Sequence, residues 1–291
     1  MYELNSTSVW GPVGGGVIAP LGPFFRLGLW FGIVEWLRTL MTIAGRRRIG
    51  VRKALDRYTE VIFANTDTAR FLTEDDRPEK VELETGIKNI DPKGEQRSYQ
   101  LCDAPKVRLL FVGSLIPRKG LHLLLDVMAE MEDRYSLTVV GTGGLEQKMK
   151  SFVRDRNLTS RVMFSGFVPR SNLPSIYATH DIFVFPSLRD TSGNVVLEAM
   201  SCGVPVIAFD HHGMKDVIGD EDGIKIHVGS YDQMVGDFRK AIMQLAGDEK
   251  LRERLGSNGI IRIKKQYLWE EKAGRVYNLY KRIIHADTSG S

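Results

Sequence analysis

From Lys106 onward, short apolar runs alternate with amphipathic stretches of helical period, and few folds accept that pattern. The runs are Val107–Val112, Leu137–Val140, Val162–Phe164, Ile182–Phe185 and Val204–Ala208, with a weaker one at Ile224–Ile226. They are too short for helices and too continuously apolar for strands with one wet face, which suits a buried parallel sheet. Helical patterns fall between them, near Gly120–Met131, Leu145–Arg156, Leu173–Thr179 and Val195–Cys202. Such alternation predicts an α/β fold with a Rossmann-like, doubly wound parallel sheet. Ligands of these sheets bind outside the carboxyl ends of the strands, so the loops after each strand are the place to look for chemistry. Two further helical stretches, Asp232–Leu245 and Trp269–Ile284, close the chain.

The first hundred residues are less regular. Residues 61–64 read as one strand, with a helix starting at Asn65 or Thr66. The stretch Gly11-Pro12-Val13-Gly14-Gly15-Gly16 reads as a loop. One or two strands are fewer than an α/β nucleotide domain of about 150 residues contains. The expected organisation is therefore a partial N-terminal α/β domain with its polar crossover (Pro78 to Pro105) in residues 1–105. A Rossmann-like domain follows over 106–267, and a C-terminal helix occupies 268–291.

Charge narrows the partners. Lys and Arg number 40 against 36 Asp and Glu, a net charge of +4, which is small for a chain whose main partner is nucleic acid. Residues 1–60 hold eight basic and four acidic side chains, so the whole excess lies there. In the same region Phe24 to Ile43 is rich in aromatic and aliphatic residues but interrupted by Arg26, Glu35 and Arg38. Three charges within a span of about 20 residues argue against a membrane-crossing helix. The segment reads either as a helix packed into the first domain or as one lying at a membrane surface, with Arg46–Arg48 near anionic lipid. Two cysteines make no disulfide framework, and no small-residue cleavage site follows a short apolar core. A cytoplasmic chain, peripheral to the membrane at most, is expected.

Two loops carry the chemistry. After the first strand of the second domain comes Gly113-Ser114-Leu115-Ile116-Pro117-Arg118-Lys119-Gly120. Gly113 permits a sharp turn, and Arg118 and Lys119 project near a helix N-terminus that already favours an anion. A guanidinium fork beside an ammonium suits a diphosphate. The second loop runs from Pro186 to Pro205 and sets two carboxylates, Asp190 and Glu198, on either side of Gly193. Asp190 falls in the loop and Glu198 inside the next helix, while the amides of Gly193, Asn194 and Val195 open that helix toward the cleft. Solvated cations and an acidic cap would account for the same residues more blandly.

Together these motifs resemble the C-terminal half of family 4 glycosyltransferases, retaining enzymes of the GT-B fold. The resemblance rests on Gly113…Lys119-Gly120 and on Asp190-x7-Glu198-Ala199-Met200-x-Cys202-Gly203-x-Pro205. Gly141-Thr142-Gly143, Gly166-Phe167-Val168 and Trp269-Glu270 support it, and it covers roughly residues 60–285. It implies transfer of a sugar from a nucleotide-diphosphate donor to a glycan or lipid-linked acceptor, with retention and without a metal or other cofactor. By the same resemblance Lys119 and Arg118 would stabilise the leaving diphosphate, and Asp190 would stand near the transferred sugar. Glu198 would hold the ribose, Val168 the base, and Gly113, Ser114, Gly141 and Gly193–Val195 would line the donor site.

The sequence departs from the family at three places. Ser114 stands where an arginine is usual, Asp190 replaces the commoner glutamate, and the family's N-terminal glycine loop and sugar-contacting histidine have no counterpart. Five of the six histidines lie in the second domain and His285 in the C-terminal helix, and the adjacent His211 and His212 do not have the spacing of a metal site. A non-catalytic nucleotide-sugar-binding module is the alternative. An NAD-dependent enzyme fits poorly, because Gly141-Thr142-Gly143-Gly144 lacks the glycine spacing and no acidic ribose ligand follows.

Overall fold

The computed structural model describes residues 8–46, 53, 55–73, 81–90 and 107–289. Arg47, Arg48 and residues 78–80 and 91–105 of the expected crossover, Cys102 among them, lie outside the described residues.

Six strands form the principal sheet: β3 (Val107–Val112), β4 (Tyr135–Val140), β5 (Val162–Gly166), β6 (Ile182–Phe185), β7 (Val206–Phe209) and β8 (Ile224–Ile226). All pair in parallel, in the order β5-β4-β3-β6-β7-β8. Chain order reverses between β3 and β6, so the sheet is doubly wound and its switch point lies at the β3 and β6 ends. The apolar run expected from Val204 begins as a strand only at Val206, because Pro205 has no N–H to give the ladder. Its carbonyl still accepts from Phe183 at 3.0 Å.

Helices cover both faces. On one lie α4 (Leu121–Ala129), α5 (Glu146–Asp155) and α9 (Tyr231–Gly247), packed over Leu109, Phe111, Leu137 and Val139. On the other lie α6 (Leu173–Ala178), α7 (Asn194–Ser201) and α8 (His212–Val217), packed over Leu110, Phe183, Phe185 and Val206. Alternate residues of β3 thus serve opposite cores, as the period of a strand requires. Helix α10 (Glu249–Arg262) was not expected, because its exposed charges and two glycines blur any apolar stripe. Asp248 caps it, accepting from the Leu251 amide at 2.9 Å.

A two-stranded parallel sheet pairs β1 (Val9–Val13) with β2 (Glu60–Phe63). The stretch read as a loop at Gly11–Gly16 is therefore part strand. Its ladder partner is about fifty residues away, and no local pattern announces it. After it come α1 (Gly22–Leu27) and α2 (Leu29–Arg46), and α3 (Thr66–Thr73) follows β2. The apolar segment does not pack into the first domain. Phe24 and Leu27 enter the core beneath α4 and α9, and α2 is held against the loops of the six-stranded sheet along a narrow stripe that includes Gly32 and Glu35.

Helix α11 (Trp269–Ser289) is fixed to the segment 81–90. Arg275 donates twice to Glu82 at 2.9 Å, Lys272 pairs with the same carboxylate, and the Trp269 amide donates to the Ile87 carbonyl at 3.0 Å.

Candidate functional site

The carboxyl ends of β3, β4 and β5 finish in glycines that stack against one another. The Gly113 amide donates to the Val140 carbonyl at 2.9 Å, and the Gly141 amide to the Gly166 carbonyl at 2.8 Å. A Cβ on Gly141 (φ 128°) would stand 2.0 Å from the Gly113 oxygen, so no side chain fits there. Ser114 is exposed above this layer.

Pro117–Lys119 then form one turn of 3-10 helix that ends at Gly120, in left-handed conformation (φ 70°). A Cβ on Gly120 would lie 1.9 Å from the Pro186 carbonyl oxygen, and the Leu188 amide donates to the Arg118 carbonyl at 2.8 Å. These backbone contacts clamp the β3 loop onto the β6 loop and bring three of the expected residues together. The Lys119 ammonium pairs with the Asp190 carboxylate, and the Arg118 guanidinium stands 3.5 Å from the same group. Lys119 also lies 5.1 Å from the centre of the Phe185 ring. Both Lys119 and Asp190 side chains are only 13% exposed, so their charges act in a partly desolvated setting.

Asp190 is engaged further by its own loop, accepting from the Gly193 amide at 3.2 Å and the Ser187 hydroxyl at 3.3 Å. The Gly193 amide is therefore committed to Asp190 rather than aimed at a ligand, because Gly193 caps α7 with φ 58° and folds back on that carboxylate. The Asn194 and Val195 amides remain at the open first turn.

Glu198 belongs to a second cluster. Its carboxylate receives Arg170 at 2.8 Å and lies 3.5 Å from the Tyr177 hydroxyl, which donates to the Val195 carbonyl at 3.1 Å. Burial raises the Glu198 pKa, an effect that Arg170 and Tyr177 partly offset. A cavity of about 600 Å³ opens beside it, walled by Arg170, Leu173, Tyr177, Cys202, Trp269 and segment 85–90. Val168 is half-buried against the core below, on the same loop as Arg170. Sequence reasoning missed Arg170 and Tyr177, since nothing in their spacing ties them to α7.

The first domain reaches this site. Gly14 lies against Thr191, whose methyl a Cβ there would approach to 3.3 Å, and the Asn65 amide donates to the Thr191 carbonyl at 3.3 Å. Helices α3 and α8 exchange caps, as Asp216 accepts from the Thr66 amide and Asp67 from the His212 amide, each at 2.7 Å. His212 also bonds through Nε2 to the Ile18 carbonyl at 3.0 Å, so this histidine joins two parts of the chain.

A doubly wound parallel sheet with a cationic loop at its switch point and a carboxylate-bearing helix beside it is the α/β architecture of a GT-B domain. The profile of the glycosyl transferases group 1 matches residues 93–262, and the chain belongs to that family. It is 31% identical over 177 residues to O-antigen chain mannosyltransferase B of Escherichia coli, covering 59% of this chain and 45% of that protein. With lipopolysaccharide core biosynthesis glycosyltransferase LpsE of Rhizobium meliloti it shares 30% identity, over 54% of this chain and 44% of the other. The chain spans about half the length of the curated relatives it matches. Among solved structures, Anabaena HepE in complex with UDP and glucose superposes with a TM-score of 0.65 at 19% identity, over 82% of this chain and 67% of that one. Sucrose-phosphate synthase of Thermosynechococcus elongatus gives 0.67 at 23% identity, over 92% and 67%. These likenesses establish the GT-B fold.

Proposed function

We propose that the chain binds a nucleotide-diphosphate sugar at the β3 and β6 ends and serves its transfer to a glycan or lipid-linked acceptor, with retention of anomeric configuration. The observation that carries this reading is the convergence of Lys119 and Arg118 on Asp190 at the switch point. The relatives, a mannosyltransferase and a lipopolysaccharide core glycosyltransferase, support the substrate class, as does the UDP and glucose in the HepE complex.

In transfer, the bond from the anomeric carbon to the diphosphate oxygen breaks as an acceptor hydroxyl oxygen bonds to that carbon from the same face. The hydroxyl proton leaves with the departing phosphate. Negative charge grows on the diphosphate, where Lys119, Arg118 and the first-turn amides of Asn194 and Val195 would receive it without a metal. Asp190 would be released from Lys119 to face the sugar. Glu198 would exchange Arg170 for the ribose hydroxyls, and Val168 would border the base.

Among the described residues no helix is long and apolar enough to cross a membrane. The exposed apolar face of α2 supports peripheral contact, which we place on the cytoplasmic membrane face.

Titration calorimetry of the 291-residue chain with UDP, GDP and ADP tests the donor reading. Heat with one of the three is expected, and silence from all of them at millimolar ligand would overturn it.

A further inference from the structure

Between α2 and the turn at Pro117–Lys119 lies a further cavity, of about 250 Å³. Its polar wall holds three guanidinium groups, Arg38, Arg118 and Arg189, and a single carboxylate, Glu35. Glu35 is already committed, paired with Arg189 in a contact buried on both sides. Arg118 shares Asp190 with Lys119. Arg38 is exposed and makes no ion pair with the described residues. Burial, and then the neighbouring Arg38 and Arg118, disfavour the Arg189 charge, which Glu35 partly restores. The cavity therefore carries uncompensated positive charge.

The remaining wall is apolar and continues outward. Phe24, Phe31 and Val34 line the cavity, and Val34 also belongs to the outer face of α2. That face carries exposed apolar side chains, with Trp30 72% exposed and Leu29 and Met41 each 69% exposed. Exposed apolar side chains clustered on one helix face mark an interaction or membrane site. An apolar face leading into a cationic pocket is complementary to a molecule with an apolar tail and an anionic head. A protein partner seated on α2 would have no need of three arginines in a recess beside it.

We propose that this cavity holds the phosphate of a lipid-phosphate-linked acceptor, with its hydrocarbon chain and the surrounding membrane lying along α2. This rests on the reading of the chain as a donor-binding transferase with α2 at a membrane surface. Arg38 is the entry contact, and Arg118 stands between the two substrates, because it borders both this cavity and Asp190. A phosphate monoester or diphosphate offers more charge and more acceptor oxygens to arginine forks than a phosphodiester headgroup does.

Co-sedimentation with three kinds of vesicle provides the test: phosphatidylcholine alone, phosphatidylcholine with phosphatidylglycerol, and phosphatidylcholine with an isoprenoid phosphate at matched total charge. The isoprenoid phosphate vesicles should bind about tenfold more tightly than the phosphatidylglycerol ones, the loss expected when one charge-assisted hydrogen bond is missing. Arg38→Ala should abolish that preference and leave UDP binding, followed by calorimetry, as it was. Trp30→Ser should weaken binding to all three vesicles alike. Equal binding to both anionic vesicles, or a preference that survives Arg38→Ala, overturns the pocket while leaving the membrane reading standing. Binding to no vesicle, or self-association that Trp30→Ser abolishes, overturns both. The heat of UDP binding on the same preparation reports separately whether the donor reading holds.

Discussion

Lys119 carries the heaviest single charge duty in the donor reading. In the free molecule its ammonium is matched by Asp190, with Arg118 at 3.5 Å from the same carboxylate. An arriving diphosphate would take over that ammonium and free the carboxylate. Lys119→Ala removes a charge-assisted contact worth roughly 1.5–3 kcal/mol, so nucleoside diphosphate affinity should fall about ten- to a hundredfold. The nucleoside without phosphates should bind as before, and calorimetry with both ligands checks the difference. Ser114 is exposed above the glycine layer at the position where the resemblance calls for arginine. Arg118, a few residues on, brings a guanidinium to the same carboxylate from another backbone position.

At the scale of elements, a buried ion pair anchors α2 to the β6 loop. The helix meets the rest of the molecule along a stripe containing Gly32 and Glu35, and Gly32 leaves room for the Phe25 ring. Glu35 pairs with Arg189 in the loop that also carries Asp190, and both side chains are almost fully buried. Removing one partner of such a pair strands a buried charge, which costs about 3–5 kcal/mol. Glu35→Gln should lower stability by an amount in that range, read from urea midpoints. The double variant Glu35→Leu with Arg189→Met should recover most of the loss, since two apolar groups leave no charge uncompensated. A Glu35→Gln protein as stable as the parent would mean that α2 is held by packing alone.

For the whole molecule, acid should loosen the structure. Burial, the largest cause in each case, pushes the His122 pKa down to about 4 and that of His211 down to about 3. Asp67, where the side-chain bond to His212 outweighs burial, is held well below the usual carboxylate range. All three groups bind protons more readily in the unfolded chain. Their contribution to stability is therefore complete above the unfolded values and is lost as pH falls toward the folded ones. For the histidines that window opens near pH 6.5, and each contributes a slope of up to about 1.4 kcal/mol per pH unit below it. Glu198 and Asp216, raised chiefly by burial, act with the opposite sign and only near the carboxylate range. Urea midpoints should thus fall between pH 7 and pH 5, and His122→Phe should flatten the decline. A midpoint that holds constant over that interval would contradict the buried, neutral state of both rings.

The strands β3 to β8 and most of the helices between them could be read from the chain because their signals are local. An apolar run buried on both faces and an amphipathic stretch of period 3.6 each announce themselves within about ten residues. The glycine and lysine of the β3 loop and the Asp190–Glu198 motif were legible for the same reason: each needs one backbone turn beside one helix start. Strand β1 was hidden by its proline and glycines, since its ladder is made with residues far along the chain. Sequence spacing also could not foretell that Lys119 would rest on Asp190 while Glu198 stood apart with Arg170. That division follows from how the β3, β5 and β6 loops are clamped at Gly113, Gly120 and Gly141. The character of Phe24 to Ile43 was visible at once, but not its placement. Only the tertiary structure sets Glu35 on Arg189, because a buried charge must find its countercharge wherever the fold brings one, and that choice turns the apolar face of α2 outward.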